Sequence, residues 1–238
     1  MHTLVLISMT STFEYGSVKI TLLKHAGFLI EYSGRFLYID VYDIPTADLP
    51  KADFVFVTHE HFDHCDPPSI AKIVKPDTVL VGPEVARKCL EQFSGKVKQI
   101  LLVKPGQEYT IDGLKVITVP SYNVNKFRAP GKVFHPKEDG RVGYVIELGN
   151  VRIYHAGDTD VIEEMRQLEG KVDIALLPVS GVYVMTPEEA AEAVKIIKPK
   201  VAIPMHWGVV AGSRAEAEKF KKLVENITNV VILDPMFK

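Results

Sequence analysis

Cysteine is nearly absent, with Cys65 and Cys89 the only two in 238 residues. That is too few for a disulfide framework or a four-cysteine zinc module, and the usage fits a reducing cytosol, so a cytoplasmic location is expected. A chain of this length buries roughly 70–75% of its extended surface on folding and needs no covalent help. No stretch approaches the roughly 18–20 consecutive apolar residues of a membrane span. The apolar run within Met1–Met9 lacks the basic flank and small-residue cleavage site of a signal peptide, and reads as an edge strand or an ordered tail. Charge of one sign is also missing: 28 Lys and Arg face 30 Asp and Glu, a formal charge of −2 with no basic block. Nucleic acid and membrane surfaces are therefore disfavoured as partners.

What is present is an ordinary globular composition, 47% hydrophobic and 24% charged, patterned as one compact α/β (α+β) unit over residues 1–238. Lys19–Leu23 and Phe28–Tyr32 are short apolar runs separated by turn residues and read as antiparallel strands. Asp53–Thr58 is continuously apolar and reads as a strand buried on both faces. Two short helices are expected between Pro67 and Phe93, around a strand at Thr78–Val81. Further strands are expected near Val97–Val103, Leu114–Val119, Gly143–Leu148 and Val151–Tyr154. Thr186-Pro187-Glu188-Glu189 and Ser213 with Glu216 are capping boxes that open two late helices. Ser121–Gly140 has neither periodicity and reads as a long loop, functional or disordered. No internal repeat is evident.

The chemistry concentrates in Thr58-His59-Glu60-His61-Phe62-Asp63-His64-Cys65, where an apolar strand ends in three histidines and a carboxylate within six positions. In extended backbone, alternate residues project to one side, so His59, His61 and Asp63 face one pocket and His64 approaches its edge. Neutral imidazole and carboxylate are the donors that zinc and related divalent ions prefer. Two later apolar runs also end in such groups, at Asp158 and at His206. If their strands share an orientation, both side chains emerge on the same rim as His59.

His-x-His-x-Asp-His, then Gly157-Asp158-Thr159 at a strand end, then Pro204-Met205-His206-Trp207-Gly208, resembles the metallo-β-lactamase superfamily of metal-dependent hydrolases over about Lys19 to Pro235. Tyr122–Lys126, Phe134–Lys137 and Tyr154–Thr159 look closest to the ascorbate-6-phosphate lactonase-like group. The resemblance implies a four-layer αββα sandwich with a dinuclear metal site at one edge of its sheets. It assigns His59, His61 and His135 to the first ion, Asp63, His64 and His206 to the second, and Asp158 to both. Zinc is the first expectation for the two divalent ions, and manganese and iron suit the same donors. The resemblance makes Asp40 an orienting carboxylate for the metal-binding loop and sets His25 beside the site. Cys65 is then a small buried neighbour of the ligands.

The reaction so implied is hydrolysis of a small ester, lactone or phosphoester by a metal-bridging hydroxide, with Asp63 as the catalytic carboxylate. Asn123, Asn125 and Lys126 in the long loop are candidate contacts for a small-molecule substrate, and a homo-oligomer is compatible. The alternative is an RNA or DNA phosphodiesterase of the same fold, which the near-neutral charge disfavours. A di-iron redox protein is weaker still, because such relatives usually carry glutamate at the position of His61 together with an extra flavin domain.

Overall fold

The computed structural model describes residues 10–45 and 48–238, so the reading of Met1–Met9 lies outside the described residues. Two seven-stranded sheets dominate. The first runs in chain order through β1 (Thr12–Tyr15), β2 (Val18–Lys24), β3 (Gly27–Tyr32), β4 (Arg35–Ile39), β5 (Phe54–Phe56), β6 (Val79–Pro83) and β7 (Gln99–Val103). β1 to β4 pair antiparallel, whereas β4 to β7 pair parallel. Parallel neighbours need a crossover, and α1 (Pro67–Ile73) and α2 (Arg87–Leu90) lie in those between β5, β6 and β7.

The second sheet begins with β8 (Glu108–Ile111) and β9 (Leu114–Pro120). A separate hairpin of β10 (Phe127–Ala129) and β11 (Lys132–Val133) follows inside the long loop. β12 (Val142–Leu148), β13 (Val151–His155), β14 (Ile174–Pro178), β15 (Val201–Met205) and β16 (Asn229–Val230) complete the sheet, in the order β16-β15-β14-β13-β12-β9-β8. Here too the first four strands in sequence are antiparallel and the rest parallel. α3 (Pro187–Ile197) and α4 (Arg214–Val224) lie in the crossovers, and both begin with the capping boxes expected at Thr186 and Ser213. The two halves share one succession of pairings although their sequences show no repeat.

Period-two alternation explains the layers. Phe54 and Phe56 of β5 enter a core between the sheets with Val116, Tyr144 and Ile146. Val55 and the adjoining Val57 face the other way, into a core shared with Ile70 of α1 and Leu90 of α2. A third core joins Val145 and Tyr154 to Val194 of α3 and Phe220 of α4. The result is the αββα arrangement, and burying each such large side chain stabilises it by about 1.5–3 kcal/mol.

One expectation is corrected. Cys65 and Cys89 are joined in a disulfide that closes a 24-residue separation. Cys65 sits in the turn after β5 and Cys89 in α2, and their Cα atoms lie 6.4 Å apart, within bridging reach. Two cysteines were too few to suggest a framework, but the crossover brings this pair together. Among the described residues, no helix is long and apolar enough to cross a membrane.

Candidate metal centre

The functional side chains follow the C-terminal ends of parallel strands: Asp40 after β4, His59 to His64 after β5, Asp158 after β13, Ser180 after β14 and His206 after β15. Three non-glycine residues at this rim, His25, Asp40 and His206, have positive φ of 57°, 49° and 60°. Such conformations cost of order 1–3 kcal/mol each and persist only when their surroundings fix them. Here the His206 amide donates to the His25 carbonyl at 3.0 Å. The Asp40 carboxylate accepts from the Thr58 amide at 2.8 Å and the Thr58 hydroxyl at 2.6 Å. Gly157, with φ of 65°, is a required glycine, because a Cβ there would meet Ser121 Oγ at 3.0 Å.

The ligand run does not stay extended as its alternation suggested. The amides of His64 and Cys65 both donate to the His61 carbonyl, at 3.0 and 2.8 Å, so the chain turns back on itself. Asp63 thereby parts from His59 and His61, and two clusters form: His59, His61, His135 and Asp158 in one, and His25, Asp63, His64 and His206 in the other. Asp158 lies between them. Its Oδ2 is 3.9 Å from His59 Nε2, 3.4 Å from His135 Nε2 and 3.2 Å from His206 Nε2. Its Oδ1 is 3.2 Å from His64 Nε2. In the second cluster His25 Nε2 stands 3.2 Å and His64 Nε2 3.7 Å from Asp63 Oδ2.

The other ring nitrogens are tied down. Nδ1 of His59 meets Thr58 Oγ1 at 2.9 Å, that of His64 meets Asp40 Oδ2 at 2.8 Å, that of His135 meets Asn123 Oδ1 at 2.8 Å and that of His206 meets Ser180 Oγ at 3.1 Å. A nitrogen held in this way fixes the ring and leaves its Nε2 for the cluster. His61 instead turns Nδ1 inward, 3.1 Å from His59 Nε2 and 3.3 Å from His135 Nε2.

Electrostatics follow from burial and crowding. Burial holds His25 and His135 down at about 4 and pushes His59 well below its ordinary value, so these rings are neutral donors at pH 7. Burial also pulls on His64, but Asp158 and Asp40 outweigh it and raise that imidazole well above 6.5. Burial works to raise the carboxyl of Asp63, yet the His25 ring 3.2 Å away and the charge of His64 hold it at about 2. Asp158 is likewise held well below the usual range by His206 and His64 against its burial.

These donors fit divalent ions. Among the described residues, His64 Nε2, Asp158 Oδ1, His206 Nε2 and both ring nitrogens of His25 are buried without a hydrogen-bond partner, a costly arrangement unless a ligand satisfies them. Donors about 2.1 Å from a tetrahedral ion stand about 3.4 Å apart, and the donor atoms of each group lie within 4.8 Å of one another, with near pairs at 3.1 to 3.4 Å.

The long-loop residues are placed differently from one another. Asn123 accepts from both the His135 amide and ring, at 2.9 and 2.8 Å. Asn125 donates to Glu189 Oε1 at 2.7 Å, and Lys126 reaches Glu189 Oε2 at 2.6 Å and Asp160 Oδ1 at 3.2 Å. The latter two thus bind the loop to the start of α3, and neither lines the cavity above the donors. Sequence reasoning missed Thr58 and Ser180 as ring-orienting partners. It also missed Arg141, whose buried guanidinium joins Glu60, the neighbour of His59 and His61, to Asp139. Only the adjacency of Thr58 and Glu60 to the histidines could have signalled any of these.

A family model described as a beta-lactamase superfamily domain matches residues 19–206. A UPF0173 metal-dependent hydrolase of Thermococcus onnurineus is 36% identical over 237 residues, covering 92% of this chain and 97% of the relative. A second, from Pyrococcus furiosus, is 35% identical with the same coverage of 92% and 97%. Among solved structures, Igni18, a metallo hydrolase from Ignicoccus hospitalis, superposes with a TM-score of 0.73 at 26% identity, over 92% of this chain and 95% of that one. The chain belongs to the metallo-β-lactamase superfamily and, within it, to the UPF0173 metal-dependent hydrolases.

Proposed function

We propose that the two clusters bind two divalent ions and that the protein hydrolyses a small ester or lactone at their shared edge. The observation that carries this reading is the convergence of buried, unpartnered nitrogen and oxygen atoms around Asp158. His59, His61 and His135 hold one ion, and Asp63, His64 and His206 the other. Asp158 serves both, and His25 is a further donor to the second. Histidine with carboxylate suits zinc, and also manganese or iron. Bound ions of this kind polarise a carbonyl and lower the pKa of water from 15.7 to about 7.

The chain's own groups do the rest. Asp63, ionised and 6% exposed, reaches the cavity, where it orients the attacking water. His25, 3.2 Å from its Oδ2 and with its ring centroid 3.9 Å from that of His206, keeps that carboxylate aligned. Asp40 holds His64 and the Thr58 turn in register.

Removing the ions with a chelator and then restoring zinc, manganese or iron tests the reading. Hydrolysis of a panel of esters, lactones and phosphoesters should vanish and return in step with the metal. Full turnover in the presence of chelator would refute it.

A further inference from the structure

The opening onto the donors is a cavity of about 310 Å³. Half of its lining belongs to the centre itself, namely His61, Asp63, His135 and Asp158; the other half is Phe62, Phe134, Tyr183 and Val210. Beyond the donors, the wall formed by the described residues therefore presents aromatic rings, one of them bearing a phenol, and a branched alkyl group. Phe62 is 64% exposed although it lies between two residues of the centre. It stands edge-on to Tyr42 with ring centroids 5.6 Å apart, and Phe134 stands edge-on to Tyr183 at 4.9 Å. Val182 and Val209, beside Tyr183 and Val210 in sequence, are exposed as well. An exposed apolar rim around a concave site marks a surface that a ligand covers.

No lysine or arginine lines this cavity. The cations nearest in sequence are engaged elsewhere: Arg141 with Glu60 and Asp139, Lys126 with Glu189 and Asp160, and Lys137 with Glu164. Arg128 and Lys132 line a different cavity, with Tyr122 and Pro136. An anionic group held away from the ions would meet aromatic faces, whose charge is negative, and no ion-pair donor.

We infer that the cleft selects acyl substrates whose group next to the scissile carbonyl is uncharged and apolar, an aryl or alkyl ester or lactone, and rejects those carrying a phosphate or second carboxylate at its far end. This rests on the hydrolase reading above. Water adds to the carbonyl, the acyl–oxygen bond breaks, and the products are a carboxylate, an alcohol and a proton, so the acid product keeps the apolar tail in the cleft.

Matched product analogues test it: acetate, hexanoate, and adipate, which is hexanoate with a carboxylate in place of its terminal methyl. With the metal content of the protein measured first, their dissociation constants are determined by calorimetry on the metal-loaded form. Hexanoate is expected to bind at least tenfold tighter than both acetate and adipate. That preference should shrink severalfold in Phe62→Ala and return in Phe62→Leu; Tyr183→Ala is a second variant at the rim. Adipate binding as tightly as hexanoate, or a preference unaltered in both alanine variants, overturns the inference while leaving the hydrolase reading intact. A protein that retains no ions overturns the reading and the inference with it.

Discussion

Asn123 shows how one side chain sets the chemistry of another. Its carbonyl oxygen accepts from His135 Nδ1 at 2.8 Å, which commits that ring to presenting Nε2 to the cluster. Replacing it with alanine frees the ring, and metal affinity should fall about 10- to 100-fold, measurable by competition with a chelator. Protonation gives a second prediction, for the metal-free protein. His25 and His135 are lowered from 6.5 to about 4 in the folded state, so between those values the unfolded chain binds protons that the folded one refuses. His64, raised well above 6.5, is already charged in both states below its unfolded value, so its contribution is constant there. The melting temperature should therefore fall as pH drops from about 6.5 to about 4, and a flat or rising profile would count against neutral burial of the two rings. The candidate metal-binding residues were legible because His59, His61, Asp63 and His64 have no reason to crowd a strand end except chemistry. The roles of Asn123, Ser180 and Arg141 were not, because each acts on a residue brought near only by the fold. His25 was legible as a neighbour of the site, but its place among the second set of donors depends on a left-handed turn that no spacing reveals.

Elements with local signals were legible for a local reason. The capping boxes at Thr186 and Ser213 are complete within four residues, and both helices begin where they stand. Thr186→Ala should cost about 1 kcal/mol of stability in a denaturant titration, with no change in metal content. The strands β8 and β14 and the β10–β11 hairpin carried weaker signals, since short strands depend on their neighbours for pairing. The disulfide was illegible because α2 must first fold back against the ligand turn before Cys89 meets Cys65. A cross-link spanning 24 residues stabilises by about 3 kcal/mol in the loop-entropy picture. Cys89→Ser should accordingly melt earlier than the parent under oxidising conditions, and reducing agent should erase the difference between them.

Across the whole molecule, two halves with the same order of antiparallel then parallel pairings meet face to face, and each contributes donors from the C-terminal ends of its parallel strands. Neither half has the full set: His25, His59, His61, Asp63 and His64 come from the first, and His135, Asp158 and His206 from the second. A compact α/β unit was legible from the apolar runs and its four layers only through the family resemblance, while the likeness of the halves lies in topology and leaves no repeat to read. Because Asp158 lies between both groups of donors, it is the residue on which the proposed dinuclear centre would turn. Elemental analysis of the protein as purified, beside its Asp158→Ala variant, is the decisive measurement. Two divalent ions per folded chain are expected in the parent, with neither held tightly in the variant; less than one ion in the parent, or an equal count in both, would contradict a centre shared between the two sheets.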